Sequence, residues 1–227
     1  MYKRVLLKIS GEALSSESQT LCAETIHKTA EMIRDLHGMG IELGLVCGGG
    51  NIMRGRSAGD MERNRADHMG MLATAINALA LQDAIEKLGV PCTVLSGIAM
   101  NRICDEYTAR GAQKLLAEGQ VVIFACGTGS PFFSTDTGAA LRAVEIHADA
   151  LLLAKNIDAV YSADPRKDQN AVRYSHLSYL KVIEDNLQAT DITAITMCRD
   201  NKMPIRVFAL DKILDVFNGA ETGTVID

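Results

Sequence analysis

The sequence predicts an α/β fold in which helices cover both faces of an open, mainly parallel sheet, giving three α/β/α layers. Short apolar runs such as RVLLKI and VVIFAC are nearly continuous, which is typical of parallel strands buried on both faces. Segments with helical period separate these runs, and that alternation is typical of a helix-covered sheet. Because no linker or repeat interrupts the pattern, residues 1–227 are expected to form a single domain.

Strands and helices are predicted in regular alternation along the chain. The strands are expected at residues 4–9, 42–47, 92–96, 121–126, 150–154 and 205–209. The final fragment, GTVID, is expected to form an edge strand. Helices are expected at about residues 23–37, 65–88, 109–118, 137–147, 191–202 and 211–217. The helix over 65–88 has more apolar faces than one sheet contact requires, so core packing and burial between subunits both remain open.

Composition and charge exclude several classes of protein. The chain is 48% hydrophobic and 22% charged, which is enough apolar material for a sizeable core. A formal net charge of -5 gives no general attraction for nucleic acid or an anionic membrane, so neither is expected as a partner. The longest apolar patch, LATAINALAL, falls short of the roughly 20 residues that a membrane helix needs.

The six cysteines form no CxxC pair and no metal-ligand spacing with histidine. Cys47, Cys92 and Cys126 fall in or beside predicted core strands, so free buried thiols are expected there. The first residues enter a strand pattern at once, without the features of a signal peptide. These observations together predict a cytoplasmic protein.

Loops rich in glycine, hydroxyls or charge follow four of the six main predicted strands. They are KISGEAL, GGGNIMRG, GTGSPFFSTDTG and KNIDAVYSADP. Parallel strands in an open sheet bring such loops to one edge, where ligands bind. Because glycine amides and helix N-termini bind phosphate through their N–H groups, the sequence predicts a phosphate-bearing ligand at this edge.

Neither common nucleotide fingerprint is present. GxGxxG is absent from the first strand–helix turn and GxxxxGK[ST] from the whole chain, which disfavours a dinucleotide oxidoreductase and a P-loop enzyme. Lys8 and Arg54 are cations beside glycine loops, although a solvated charge or an ion pair is the alternative for each. Carboxylates that could hold sugar hydroxyls or Mg²⁺ are Asp67, Asp136, Asp158, Asp164 and Asp191, of which Asp136 and Asp191 also resemble helix caps.

Six stretches, in order between Lys3 and Ile226, resemble the bacterial uridylate kinases of the amino-acid kinase superfamily. They are LLKISGEAL, GGGNIMRG, ADHMGMLATAINALALQDAI, GTGSPFFSTDTGAALRA, DAVYSADP and RDNKMPIRVF. The lysine–serine–glycine start and the glycine loop are shared across the superfamily, whereas DHMGMLAT and TGSPFFSTD resemble the uridylate branch. The resemblance implies transfer of the γ-phosphoryl group of ATP to UMP, with Mg²⁺, in de novo pyrimidine nucleotide biosynthesis. It also implies a homohexamer and UTP as a feedback inhibitor.

The resemblance also implies a role for individual residues. The residues implied at ATP are Lys8, Ile9, Ser10, Gly11, Gly50, Arg54, Lys155, Asn156, Tyr161 and Asp164. The residues implied at UMP are Gly49, Asp67, Thr128, Gly129, Ser130, Pro131, Phe132, Phe133, Ser134 and Thr135, with Asp67 on the ribose. Lys8, Asp136 and Asp191 are implied near the transferred group. Mg²⁺ is expected to be held mainly by the nucleotide phosphates, without dedicated protein ligands.

Several positions depart from the family pattern. SSESQTL stands where a glycine-containing segment is linked to activation by GTP in some members, so that regulation is not carried over. KNID replaces a threonine–lysine pair, which leaves open whether Lys155 or Asn156 contacts ATP. Ala159 and Ser130 replace a common glycine and a common asparagine. None of these changes removes a group that the chemistry needs.

The absence of a catalytic base fits phosphoryl transfer to a nucleotide. The five histidines are scattered, without a nucleophile partner or metal-ligand spacing. A phosphate monoester has a second pKa near about 6, so its oxygen is already anionic at neutral pH. The rival interpretations are a sister kinase acting on a small carboxylate or carbamate and a catalytically silent nucleotide-binding regulator. Retention of Lys8 and Asp136 disfavours the silent regulator.

Overall fold

The computed structural model describes residues 2–53 and 60–227. Its main feature is a sheet of nine strands in the order β4-β3-β5-β2-β1-β6-β10-β11-β9. Its strands are β1 (Arg4–Ile9), β2 (Glu42–Cys47), β3 (Cys92–Ser96), β4 (Asp105–Glu106), β5 (Val121–Ala125), β6 (Ala150–Lys155), β9 (His176–Leu177), β10 (Ile205–Ala209) and β11 (Thr224–Ile226). Two further short strands, β7 (Val160–Tyr161) and β8 (Arg173–Tyr174), pair with each other. The predicted mainly parallel sheet is confirmed, because β10–β11 is the one antiparallel neighbour pair among its described strands.

Helices cover both faces of this sheet. They are α1 (Ala23–Gly38), α2 (Arg63–Lys87), α3 (Ala109–Ala117), α4 (Thr135–Glu145), α5 (Tyr179–Glu184), α6 (Ile192–Asp200) and α7 (Ile213–Phe217). One apolar core joins α1, α2 and α7 to alternate residues of β1 such as Leu7. A second core joins α3, α4, α5 and α6 to the other face, including Leu6. The expected three-layer arrangement is therefore confirmed.

The register of the parallel strands brings the predicted ligand-binding loops to one edge. Lys8 pairs with Val46 of β2 and with Leu153 of β6, so β1, β2 and β6 run level with one another. β5 continues beside β2 in the same direction. The loops after these strands therefore start at the same edge of the sheet, as an open α/β sheet requires.

The structure differs from the sequence prediction mainly in short elements. The two-residue strands β4, β7, β8 and β9 and the six-residue helix α5 were not predicted, because such short segments carry no readable period. The fragment GTVID forms β11, but β11 lies between β10 and β9, so its predicted place at the edge was wrong. Helix α4 begins at Thr135, two residues earlier than predicted, because the Ser134 hydroxyl caps it by accepting from the N–H of Thr137.

The cysteine prediction is confirmed for the residues on which it rested. Cys47, Cys92 and Cys126 are buried and carry free thiols. Burial raises the pKa of the Cys47 and Cys92 thiols to about 12, so both stay protonated at neutral pH. Among the described helices, none combines the length and the apolar character needed to cross a bilayer.

Candidate active site

A cavity of about 530 Å³ is enclosed by Lys8 of β1, the loops that follow β2 and β5, and the first turns of α2. Sequence-predicted residues from these elements and from the starts of α4 and α6 meet in its wall. Those that line it are Lys8, Gly49, Gly50, Asp67, Thr128, Ser130, Phe132, Phe133, Ser134, Thr135, Asp136 and Asp191. The cavity thus brings together most of the predicted acceptor-side residues and all three residues predicted near the transferred group.

Close backbone contact explains two of the glycines. A Cβ atom on Gly11 would lie 2.2 Å from Asn51 Oδ1 and 2.5 Å from the Gly48 carbonyl oxygen, so the first loop packs directly on the second. A Cβ atom on Gly49 would lie 2.8 Å from the Gly70 carbonyl oxygen of α2. Both positions need glycine because a side chain would collide with these oxygen atoms, so the absence of a Cβ lets the two loops and α2 pack closely.

A pair of amide side chains holds the glycine loop on α2. Asn77 is fully buried and donates to the Gly48 carbonyl oxygen at 2.6 Å and to Asn51 Oδ1 at 2.8 Å. Asn51 donates in return to Asn77 Oδ1 at 3.1 Å and to the Thr20 carbonyl oxygen at 2.8 Å. These hydrogen bonds therefore fix the predicted phosphate-binding loop on α2. No sequence pattern indicated this role for either asparagine.

Two lysines share one carboxylate at the edge of the cavity. Lys8 Nζ lies 2.8 Å from Asp136 Oδ1, and Lys155 Nζ lies 3.3 Å from Asp136 Oδ2. The Thr190 hydroxyl also donates to Asp136 Oδ2, at 2.8 Å. Because two ammonium groups meet one carboxylate, the cluster keeps a net positive charge that faces the cavity through Lys8.

Asp136 stays ionised in this cluster. Burial acts to raise the pKa of its carboxyl, but the charges of Lys8 and Lys155 and the hydrogen bonds from Lys8 and Thr190 outweigh that effect. The pKa of Asp136 therefore lies well below its usual value. The alternative role of a helix cap is not realised, since Asp136 lies in the first turn of α4 and Ser134 caps that helix.

Asp191 ties the start of α6 to the start of α4. Its Oδ2 atom accepts hydrogen bonds from the Ser134 hydroxyl and, at 3.0 Å, from the Thr137 hydroxyl. Asp191 occupies the N-cap position of α6 but makes no side-chain cap bond there. Its carboxylate is directed to α4 instead, so the N-termini of two helices meet at the cavity beside Lys8.

The loop after β5 has an unusual backbone. Cys126 and Phe132 have positive φ angles of 64° and 71°, a conformation that costs non-glycine residues about 1–3 kcal/mol each. Gly127 and Gly129 also have positive φ angles, of 57° and 81°. The Thr74 hydroxyl of α2 accepts from the Cys126 N–H at 2.8 Å, which fixes the first of these turns.

Asp67 joins this loop to α2 at the rim of the cavity. Its Oδ2 atom accepts from the Phe132 N–H at 2.8 Å and from Arg63 Nε at 2.7 Å. The Arg63 guanidinium also lies 5.5 Å from the centre of the Phe132 ring. Burial acts to raise the pKa of the Asp67 carboxyl, but the Phe132 N–H and Arg63 outweigh it, so the pKa is lowered. Sequence reasoning missed Arg63, whose signal was its i,i+4 spacing from Asp67 on one helix.

The donor-side residues are more dispersed. Lys155 and Asn156 line a second cavity of about 480 Å³ between α1 and the ends of β6 and β10. Asn156 also donates to Glu12 Oε2 at 3.1 Å. Tyr161 and Asp164 line neither cavity. The Tyr161 hydroxyl donates to Asp158, while Asp164 accepts from the Arg166 N–H.

The remaining sequence-predicted residues support the loops without lining the cavities. Ile9 is fully buried in the apolar core, so its backbone alone faces the loop edge. The Ser10 hydroxyl accepts from the Glu12 N–H and begins a short 3-10 turn. Gly129 packs against the Gly97 carbonyl oxygen, and neither Gly129 nor Pro131 lines the cavity. Arg54 lies outside the described residues.

No group of three or more His, Cys, Asp or Glu side chains in residues 2–53 and 60–227 is arranged to hold a metal ion. Asp136 is engaged by two lysines and Asp191 by two hydroxyls. A divalent cation at this cavity would therefore depend on oxygen ligands from a bound phosphate.

Comparisons with known proteins agree with this geometry. The model of the amino acid kinase family matches residues 3–209. The solved UMP kinase of Bacillus anthracis is 35% identical, with a TM-score of 0.96, and the match covers 100% of this chain and 96% of that one. The UMP kinase of Ureaplasma parvum is 37% identical, with a TM-score of 0.94 and coverage of 100% and 99%. The uridylate kinase of Archaeoglobus fulgidus is 30% identical, with a TM-score of 0.76 and coverage of 98% and 99%. The predicted likeness to this family is confirmed.

Proposed function

This chain belongs to the amino acid kinase family, and from that membership and the geometry of its cavity we propose that it transfers the γ-phosphoryl group of ATP to UMP. The products are UDP and ADP, in de novo pyrimidine nucleotide synthesis. UMP kinase is the activity named for the bacterial structures that are 35% and 37% identical over the whole chain. The free buried cysteines suit the reducing cytoplasm, where we place this activity.

The observation that carries the proposal is that Lys8 and the loop after β5 face one cavity. Lys8 brings positive charge from the donor side, and the loop brings backbone N–H groups, hydroxyls and two aromatic rings from the acceptor side. A nucleoside monophosphate fits this combination, since its phosphate would meet the glycine loops while its base would meet Phe132 and Phe133. We propose that Asp67, at the rim, accepts a hydrogen bond from a ribose hydroxyl.

Phosphoryl transfer to UMP depends on charge stabilisation and on the positioning of the two nucleotides, and it needs no proton transfer by a side chain. The acceptor oxygen of UMP is already anionic at neutral pH, so no base is needed. The obstacle is the repulsion between two polyanions and the charge that spreads over the transferring group. Lys8 supplies fixed positive charge at that point, and backbone N–H groups of the surrounding loops add to it.

Mg²⁺ fits this site as a companion of ATP. Since neither Asp136 nor Asp191 belongs to a described cluster able to hold a metal alone, the nucleotide phosphates and water would provide most of its ligands. When bound, Mg²⁺ would neutralise negative charge on the phosphate groups, while Lys8 would add positive charge at the cavity edge. Lys8 stays paired with Asp136, which holds the ammonium at the cavity edge.

On the donor side, we assign Lys155 and Asn156 to ATP because they line the cavity next to the lysine cluster. Lys155 has the stronger case for a phosphate contact, since its ammonium is 3.3 Å from the same carboxylate that holds Lys8. Tyr161 and Asp164 lie in the segment that follows β6, and from there they would contact the adenine nucleotide. UTP, which shares the nucleoside of UMP, is proposed as a feedback inhibitor.

We also propose that the chain assembles into a homohexamer, with α2 meeting α2 of a second copy. Met69, Leu72 and Ile76 follow one another along one side of this helix, and each is more than 40% exposed. Such an apolar stripe is self-complementary, as a two-fold contact between identical subunits requires. The stripe explains why α2 is apolar on more sides than its packing on the sheet needs.

An acceptor panel tests the proposed reaction. ADP formation from Mg-ATP is measured in a coupled assay with UMP, CMP, glutamate or carbamate as acceptor, and the phosphorylated product is identified by phosphorus NMR. The proposal predicts UDP from UMP at the highest kcat/KM. Phosphorylation of glutamate or carbamate, or no ATP consumption with any acceptor, would overturn it.

A further inference from the structure

Arg142 is a buried cation behind the loop that follows β5. It lies on α4, is 4% exposed and does not line the cavity. Its Nη1 atom donates to Glu145 Oε2 at 2.5 Å, and its guanidinium stacks 3.8 Å from the centre of the Tyr107 ring. The Tyr107 hydroxyl donates to the same Glu145 oxygen at 2.6 Å. Glu145 therefore balances the charge of the buried Arg142, and the Tyr107 ring covers its guanidinium.

The remaining polar contact of Arg142 reaches the loop itself. Its Nη2 atom donates to the Gly127 carbonyl oxygen at 3.0 Å. Gly127 follows Cys126 in the run of positive φ angles, and it lines the cavity wall on its other side. A backbone in this conformation needs outside support to stay in place. Thr74 supports it from α2 and Arg142 supports it from α4.

A neighbouring strand end completes the support. A Cβ atom on Gly97, which follows β3, would lie 3.3 Å from Arg142 Nη2 and 3.2 Å from the Gly129 nitrogen. A Cβ atom on Gly129 would lie 2.4 Å from the Gly97 carbonyl oxygen. The guanidinium therefore fills the space between α4 and the ends of β3 and β5. A side chain that is shorter or carries no charge would leave the Gly127 carbonyl oxygen without this donor.

We propose that Arg142 is a positioning residue for the acceptor nucleotide: it fixes the Gly127 carbonyl and so holds the 127–135 loop in the shape that receives UMP. This inference rests on the proposed function, since it assigns that loop to the acceptor. Arg142 acts through the loop and touches neither substrate. Its loss should therefore change the binding of UMP while the donor side, built on Lys8 and Lys155, keeps its affinity for ATP.

Steady-state kinetics of Arg142→Met and Arg142→Lys test this role. Arg142→Met should raise the KM for UMP about tenfold or more and leave the KM for ATP within about twofold, because a lost charged hydrogen bond is worth roughly that factor. Arg142→Lys keeps a cation but cannot serve Glu145, Gly127 and the Tyr107 ring together, so its KM for UMP should lie between those of the wild type and Arg142→Met.

Arg4→Met is the matched control. Arg4 is a partly buried arginine that likewise bonds a glutamate, Glu42 at 2.6 Å, and a backbone carbonyl, that of Ile146 at 2.7 Å. It lies at the start of β1, away from the cavity. Arg4→Met should lower the unfolding temperature without moving the KM for UMP, which separates positioning from general stability.

The outcomes are distinct. Absence of UMP phosphorylation by the wild-type protein would overturn the proposed function and this inference with it. Normal wild-type turnover with equal changes in both KM values, or with no change in the KM for UMP, would overturn the role of Arg142 alone. If Arg142→Met does not fold, Arg142→Lys decides, because a wild-type KM for UMP in that folded variant also counts against the proposal.

Discussion

At the scale of single residues, Asp67 links acceptor recognition to loop structure. Its carboxylate holds the Phe132 N–H and the Arg63 guanidinium, and we propose that it also accepts from the ribose of UMP. Asp67→Asn keeps the size of the side chain but removes its charge. We expect the KM for UMP to rise about tenfold and the KM for ATP to change little, because a hydrogen bond to a charged group is worth about 1.5–3 kcal/mol.

Steady-state kinetics with each substrate varied in turn measure this difference. Asp83→Asn, on the exposed side of α2 where Asp83 pairs with Lys87, is a matched control with no expected effect. Equal loss of affinity for both substrates in Asp67→Asn would show that Asp67 has only a structural role.

The Asp136 carboxylate makes stability depend on pH. Its pKa is lowered in the folded protein by Lys8 and Lys155, so its contribution is present above the unfolded-state pKa of about 3.9 and is lost as the pH falls below that value. The difference in unfolding free energy between wild type and Asp136→Asn should therefore be constant from pH 7 to about pH 5 and should shrink below about pH 4. Urea unfolding at a series of pH values measures it, and a difference that stays constant down to pH 3 contradicts the coupling.

At the scale of elements, α2 organises the cavity through one buried amide. Asn77→Leu removes the donor to the Gly48 carbonyl oxygen and leaves Asn51 without its partner in the core. We expect the unfolding free energy to fall by about 1–3 kcal/mol, the cost of leaving a buried polar group unsatisfied. Denaturant unfolding tests this, with Asn64→Leu as the control because Asn64 makes an exposed hydrogen bond to the nearby Glu62. Equal stability of the two variants would rule out the anchoring role of Asn77.

The sequence was sufficient for the long elements and for the position of the loops. Strands such as β1 and β6 are continuous apolar runs, and their parallel pairing follows from the helices between them. The side chains that hold the loops through hydrogen bonds from neighbouring helices could not be predicted. Asn77 looks like one polar residue on an apolar helix, and its partner Asn51 is 26 residues away. Arg142 resembles a surface charge, because the ring of Tyr107 that covers it comes from another part of the chain.

The roles of the site residues also differ in how far the sequence predicts them. Lys8 and Asp136 belong to recognisable motifs, but their direct contact depends on the packing of the start of α4 against β1. The family resemblance also implies Tyr161 and Asp164 beside the donor nucleotide; neither lines either of the two cavities described above, and their role stays a prediction. The position of a loop along the chain predicts the edge of the sheet at which the loop lies. It does not predict how far the side chains of that loop extend towards a cavity.

At the scale of the whole molecule, assembly through α2 is the clearest expectation. Leu72 is 48% exposed in the middle of the apolar stripe of α2, so Leu72→Glu places charge inside the proposed contact without disturbing the core. The variant should have a smaller mass than the wild type in light scattering coupled to gel filtration. Leu180→Glu, at a 56% exposed position on α5, serves as the control and should keep the wild-type mass. A monomeric wild type, or no change in Leu72→Glu, contradicts this contact.

Fixed positive charge at the carboxyl edge of the sheet, supplied chiefly by Lys8, is proposed to drive phosphoryl transfer without a catalytic base. The most direct measurement is the turnover of Lys8→Met with ATP and UMP, beside Lys87→Met, whose lysine is an exposed partner of Asp83. We predict that Lys8→Met loses on the order of 10²–10³ in kcat while the KM values for both nucleotides change only modestly. Near-normal turnover in a folded Lys8→Met protein would contradict this mechanism.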